Sequence, residues 1–356
     1  MWNLNEKVEQ KMREQIHGGD IYRNRDVIDF SVNSNPLGPP KSVLETIREQ
    51  AGKIVHYPDI LCSELRDAIG WFEGVDSEQI LCGNGAAELF FSAVLAVKPE
   101  HALLIAPTFA EYEKALNVVD AQIDYYELKE EQQFQVQKDI LEQITSDVDI
   151  MFLCNPNNPT GQLMSKEMIR DILMKCRECD TWLVLDECFI DFLDCPEMYE
   201  VKELICEYEN LLIVKAFTKV FCMPGLRLGY AMSGNRKLLR KMALVLQPWN
   251  VSILAQAGGI AALSGCEEYI SKTRQFIKDE RLIMIQALED LGYCVYGSKA
   301  NYVFFQGKSG LYEQALAAGF LIRDCQNYRG LSEGYYRIAV RTKSENERLI
   351  AWLRQL

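Results

Sequence analysis

Four short apolar runs constrain this chain more than any other feature in it. HALLIAP (101–107), DIMFLCNP (149–156), TWLVLDE (181–187) and NLLIVKAF (210–217) are apolar almost without interruption. A strand with one face in water alternates apolar and polar residues; a run that does not alternate is covered on both faces. Segments with helical spacing lie between these runs, KEMIRDILMKCRE (166–178) among them. Strand and helix in alternation predict an α/β chain whose mainly parallel sheet is flanked by helices. After a helical stretch near 251–291 the character changes, and GYCVYGSKANYVFFQG and GYYRIAVRT predict strands of a smaller α+β unit. A chain of 356 residues is long enough for about two domains. The expected division is an N-terminal segment over 1–45 that contributes to the site, a large domain over 46–255 and a small C-terminal domain over 256–356.

Several function classes drop out. No run of eighteen apolar residues is present, so no membrane span is expected. The start, MWNLNEKVEQKMREQ, is polar and charged and does not read as a signal peptide, so a cytoplasmic location is expected. The formal charge of −13 argues against nucleic acid as a partner. It leaves room for a locally positive pocket that takes a small anion. Twelve cysteines sit in strand-like and helix-like runs such as MFLC and LVLDEC, and read as reduced, buried thiols. Cys176 and Cys179 form one CxxC with no second pair to complete a zinc set. The three histidines, His17, His56 and His101, form no HExxH, and no metal is expected.

In open α/β sheets ligands gather at the carboxyl ends of the strands. ILC (80–82) leads into GNGAAELFFSAVLAV, a glycine turn opening a helix whose first N–H groups can hold a phosphate. DIMFLC leads into NPNNPTG, an ordered loop where Asn157 and Asn158 can donate to an anion or a phenolate. TWLVL ends in Asp186, an acid that at a buried strand end needs a cationic partner. NLLIV leads into KAFTKVFCMPGLRLGY, which brings Lys215, Lys219 and Arg227 and no acid. Each piece alone is more often structural than functional. Together they form the set that pyridoxal phosphate asks for: a lysine amine, an acid against the pyridinium nitrogen, and phosphate donors.

With these residues in place the chain resembles, over nearly its whole length, the fold-type I pyridoxal-phosphate enzymes, in the aminotransferase branch near histidinol-phosphate aminotransferase. The resemblance implies that Lys219 carries the cofactor through a Schiff base. It implies that Thr218 and Arg227 bind the cofactor phosphate with Gly85, Ala86 and Ala87. Asp186 would pair with the ring nitrogen, Asn158 would bond the ring hydroxyl and Phe109 would stack on the ring. Tyr57 would reach the cofactor phosphate of a second subunit, which implies a homodimer. Lys215, farther back in the strand, reads as structural or surface. Two positions depart from the branch: Ala216 stands where a serine is frequent, and the run DECF puts Phe189 where a tyrosine usually donates to the ring hydroxyl.

HGGDIYR (17–23), DFSVNSNPLGPP (29–40), DECFIDF, QPWNVS (247–252), LIRDCQNYRGL and YYRIAVRT are similar to the threonine-phosphate decarboxylases of cobalamin synthesis. These share the fold but remove carbon dioxide from O-phospho-L-threonine to leave an aminopropanol phosphate. His17, Gly18, Gly19, Asn33, Arg323 and Arg337 are the candidate substrate residues, because arginine suits carboxylate and phosphate. Arg337 is placed in the site and Arg341 in packing or a salt bridge. The same inventory serves loss of carbon dioxide or transamination, depending on which bond at Cα stands perpendicular to the ring. Transamination of histidinol phosphate, decarboxylation of phosphoserine and a non-catalytic binding protein are the alternatives.

Overall fold

The computed structural model describes residues 17–356. The first fifteen residues, read as a polar start, and the part of the 1–45 segment before His17 lie outside the described residues.

Strands β1 (Ile28–Asp29), β2 (Ile80–Gly83), β3 (His101–Ala106), β4 (Gln122–Glu127), β5 (Ile150–Cys154), β6 (Trp182–Asp186), β7 (Leu211–Ala216) and β8 (Gly229–Met232) come first. All but β1 form one seven-stranded sheet in the order β2-β8-β7-β6-β5-β3-β4. Every pairing is parallel except those of β8, which runs antiparallel to β2 and β7. The four apolar runs are β3, β5, β6 and β7, and all but their first residues in β3 and β6 are buried. The polar edge strand β4, QIDYYE, carries no such run.

Period two along each strand sorts these side chains into two cores. Leu103, Met151, Leu153, Leu185 and Ile213 face one core. Leu104, Phe152, Val184, Leu212 and Val214 face the other. Each such fully buried side chain contributes roughly 1.5–3 kcal/mol. The helices are α1 (Lys41–Gln50), α2 (Ser63–Glu73), α3 (Ala86–Val97), α4 (Glu111–Asn117), α5 (Lys166–Glu178), α6 (Arg236–Val245), α7 (Ile253–Leu263), α8 (Glu267–Asp290), α9 (Leu311–Ala317) and α10 (Lys343–Leu353), the last two packing on the C-terminal part. Helix α5 shows why one forms: Ser165 caps it by accepting from Met168 N at 3.2 Å, and Ile169, Ile172, Leu173 and Cys176 form the buried stripe. Cys176 is thus a core residue, and Cys179 beyond the helix donates to Ile144 O at 3.5 Å.

A second sheet, β12-β13-β10-β9, is antiparallel throughout and built from β9 (Cys294–Tyr296), β10 (Tyr302–Gln306), β12 (Arg323–Asp324) and β13 (Tyr335–Ala339). The pair β1–β11 (Phe320–Leu321) ties the segment after His17 to it. That segment then crosses toward the large sheet: Phe30 O accepts from Ala339 N at 2.8 Å, and Asn35 N donates to Lys219 O at 3.1 Å. The thiols are all unpaired, but Cys195, Cys206 and Cys294 are exposed, which corrects the reading of the cysteines as uniformly buried. Cys294 lies on the edge strand β9, where a face is left uncovered.

Candidate active site

Lys219 follows β7 by three residues, and its side chain is half-buried. Nζ donates to Asn33 Oδ1 at 3.2 Å and stands 5.1 Å from the centre of the Phe189 ring. Burial, reinforced by the Arg337 guanidinium, pulls its pKa from 10.5 down to about 8, against the pull of Cys188 and Asp186. Lys215, one helical turn's worth of sequence earlier, has the opposite surroundings. It is buried between Glu73 at 2.8 Å and Asp191 at 3.1 Å. It is a structural cation, not a surface one.

Asp186 closes β6 at 4% exposure. Its Oδ2 accepts from the Tyr112 hydroxyl at 2.5 Å and its Oδ1 from Cys188 N at 2.9 Å. Burial raises the pKa of Asp186, and the bonds from Cys188 and Tyr112 oppose that rise. Among the described residues Asp186 forms no ion pair, so a cationic partner remains to be supplied.

The turn after β2 prepares a helix start. Gly85 takes a φ of +88°, and its N–H is held by Gly83 O at 2.8 Å. Gly85 therefore shapes the cup but does not present a donor. The first free N–H groups belong to Ala86 and Ala87, the opening residues of α3, which have no carbonyl one turn back to bond. Arg227, in the left-handed conformation at φ +57°, reaches over this turn with Nη2 at 3.5 Å from Asn84 O. A Cβ on Gly85 would stand 2.4 Å from that Nη2, so the glycine is what lets the guanidinium lie against the cup. Thr218 is buried beside Lys219 and makes no hydrogen bond among the described residues.

The two asparagines after β5 divide their tasks. Asn157 stitches the loop: its Nδ2 donates to Pro107 O and Thr160 Oγ1, and its Oδ1 accepts from Thr108 Oγ1. It has no donor left for a ligand. Asn158 instead accepts from Arg337 Nη1 through Oδ1, which leaves its Nδ2 to donate outward. Arg337 also donates to Ser31 O at 2.7 Å and lies over the Tyr302 ring at 5.2 Å. Arg323 sits opposite Arg337 in the β12–β13 register and bonds Asp324 O and Asn327 Oδ1. Both arginines are at least nine-tenths buried, and among the described residues neither pairs with a carboxylate. Arg337 Nε and Asn33 Nδ2 are buried donors without acceptors. Arg341 forms an ion pair with Glu345 at 3.0 Å, as expected for a packing residue.

The N-terminal group is only partly as expected. His17 Nε2 lies 3.0 Å from both Glu111 Oε1 and Lys114 Nζ. Gly19 N–H is taken by Ser31 Oγ at 2.8 Å, so it is not a free anion donor. Gly18 packs against Ser31, whose carbonyl oxygen would be 2.5 Å from an added Cβ. His17, Gly18, Gly19, Phe109 and Arg323 line one cavity of about 850 Å³. A second cavity, of about 610 Å³, is lined by Lys215 and Arg274 and contains none of the sequence-derived site residues. Tyr57 is 76% exposed and stacks on Trp249. Three contributors went unread in the sequence. They are Tyr112, Tyr302, which donates to Asn157 O at 2.6 Å, and Asn301, which donates to Asn33 O at 2.9 Å.

This geometry fits pyridoxal phosphate. An amine whose proton leaves near neutral pH, a buried acid without a cation, free helix N–H groups beside a guanidinium, and one outward amide donor match its four polar edges. The family model described as aminotransferase class I and II matches residues 25–353. A protein of Caldanaerobacter subterraneus subsp. tengcongensis, provisionally named a threonine-phosphate decarboxylase, is 38% identical over 98% of this chain and 96% of its own. The threonine-phosphate decarboxylase of Salmonella typhimurium is 35% identical over 96% of each chain. The crystal structure of the histidinol-phosphate aminotransferase from Clostridium acetobutylicum superimposes with a TM-score of 0.85 at 32% identity, covering 92% of this chain and 98% of that one.

Proposed function

The chain belongs to the aminotransferase class I and II family, and from that premise we propose that it uses pyridoxal phosphate to decarboxylate O-phospho-L-threonine. The products are carbon dioxide and 1-aminopropan-2-yl phosphate, a precursor for cobalamin. One observation carries the choice of substrate. Arg323 and Arg337 face each other across adjacent strands, buried and without carboxylate partners among the described residues. A buried guanidinium demands an anion. Two of them suit a substrate with both a carboxylate and a phosphate.

Lys219, Asp186, Asn158, Thr218, Arg227, Ala86 and Ala87 would hold the cofactor, and Phe109 would cover its ring. When bound, that group withdraws electrons from the bonds at the substrate's Cα. The remaining work belongs to the chain. Arg337, fixed by Ser31 O and Asn158, binds the substrate carboxylate and sets its angle. Asn33 Nδ2 is a further donor to it. Arg323, with His17 and Gly18 on the same cavity, takes the phosphate. As the bond from Cα to the carboxylate breaks, its electron pair stays with Cα and a proton replaces carbon dioxide. Lys219 is the amine that holds and returns a proton there. Phe189 beside it supplies no hydroxyl.

The reading also includes a cytoplasmic homodimer, in which exposed Tyr57 extends to the neighbouring subunit's cofactor phosphate. It includes the division at 46–255 and 256–356, which agrees with a large sheet contained in 80–232 and a small one whose strands begin at 294. No described helix is long and apolar enough to cross a membrane.

The test is direct. The protein is incubated with pyridoxal phosphate and O-phospho-L-threonine, without a keto acid, and the products are analysed by mass spectrometry. Aminopropanol phosphate is expected, and Arg337→Ala should raise KM at least hundredfold, the worth of a buried charge-assisted pair. Unchanged phosphothreonine, together with amino transfer from histidinol phosphate to 2-oxoglutarate, would reassign the chain as the aminotransferase.

A further inference from the structure

Tyr112 is a fully buried side chain in the site for which the reaction above gives no role. It is 0% exposed and wedged among three rings: stacked on Phe152 at 5.1 Å, and edge-on to Phe90 at 5.0 Å and to Phe109 at 5.7 Å. Its hydroxyl donates to Asp186 Oδ2 at 2.5 Å, with the Cys154 thiol beside it. We infer that Tyr112 is a positioning residue, whose hydroxyl keeps Asp186 ionised and aimed while its ring supports Phe109 from behind.

The argument starts from the carboxylate. Burial favours the neutral acid; a hydrogen bond donated to the carboxylate favours the charged one. Tyr112 and the Cys188 N–H give each oxygen one donor, so the carboxylate plane cannot rotate without breaking a bond. Its remaining lone pairs are the ones a ring nitrogen's proton can reach. A proton shared between that nitrogen and Asp186 then rests on the ring, because the tyrosine stabilises the charged acid. If the proton moved to Asp186, the ring would lose much of its electron-withdrawing power. The other titratable groups around the pair are Cys154, Cys188 and Tyr302, all buried, and Lys219. The thiols are pushed upward by burial and stay neutral.

This inference rests on pyridoxal phosphate as the cofactor and not on the identity of the substrate. The variant is Tyr112→Phe, which keeps the ring and its support of Phe109. Holoenzyme absorbance is titrated with pH, and pyridoxal phosphate affinity is measured from quenching of tryptophan fluorescence. The pH midpoint of the absorbance, which follows the proton on the Lys219 nitrogen joined to the cofactor, is expected to move upward, because a ring that withdraws less leaves that nitrogen more basic. Turnover is expected to fall about tenfold to a hundredfold, the worth of one hydrogen bond to a charged group, with KM within about twofold. In an Asp186→Asn background the tyrosine change should add nothing. An unmoved midpoint, or losses that simply add in the double variant, would overturn the inference. The cofactor readouts stand even if phosphothreonine is not the substrate.

Discussion

Replacing Lys219 by methionine should stabilise the cofactor-free protein in a pH-dependent way. A lysine whose folded pKa lies at about 8, against 10.5 when exposed, is held in a place that disfavours its charge. The difference corresponds to about 3 kcal/mol. Below pH 8 both folded and unfolded chains carry the proton, and the whole penalty weighs on the fold. Between 8 and 10.5 the unfolded chain binds a proton that the folded chain does not, so wild-type stability rises with pH through that window. Methionine has nothing to protonate. Its advantage over lysine should therefore shrink by about 3 kcal/mol from neutral pH to pH 10.5. The substitution also strips Asn33 Oδ1 of its donor, a loss of about 1–3 kcal/mol that does not depend on pH. Urea unfolding of both apoproteins at about pH 7, 9 and 10.5 separates the two effects, because only the first changes the spacing between the curves. Curves that stay parallel across the range would refute the claim that burial and Arg337 depress this amine.

Two further outcomes come from the same electrostatics and sterics. Burial pushes the Glu187 carboxyl up to about 8, so the folded chain holds a proton there that the unfolded chain releases above 4.5. Stability should fall with pH between those values, by up to about 5 kcal/mol, and Glu187→Gln should flatten that slope in thermal melts. Gly85→Ala would place a methyl 2.4 Å from Arg227 Nη2 at a φ of +88°. The guanidinium must then leave the cup, and pyridoxal phosphate binding by fluorescence titration should weaken at least tenfold.

The parts of this molecule that were legible in the sequence are those set by local pattern. Unbroken apolar runs announce strands covered on both faces, and β3, β5, β6 and β7 lie where those runs predict. Because strand ends collect ligands, Asp186, Lys219 and Asn158 could be read from their places at or just past the end of a run. The rest depends on which neighbour takes which donor, and that is settled only by packing. Asn157 and Asn158 are adjacent and chemically identical, yet loop closure absorbs one and Arg337 directs the other. Gly19 looked like a free N–H until Ser31, twelve residues on, folded back to accept it. Tyr112 lies three residues past Phe109 in an ordinary helical stretch. Nothing in that spacing announces an acid on another strand 74 residues away.

The contrast between Lys215 and Lys219 has a consequence for reactivity. The two amines are four residues apart in one stretch of chain, and a free peptide would offer them to an aldehyde as equals. In the fold, Glu73 and Asp191 hold the Lys215 proton well above its ordinary range. Lys219, crowded by burial and Arg337, gives its proton up near neutrality. The lowered pKa multiplies the uncharged fraction at neutral pH by roughly two hundredfold or more. The protein thereby sorts its own nucleophiles. A carbonyl compound entering at physiological pH finds one lysine ready and its neighbour silenced, so an aldehyde-bearing probe should label this stretch of the folded chain at a single position.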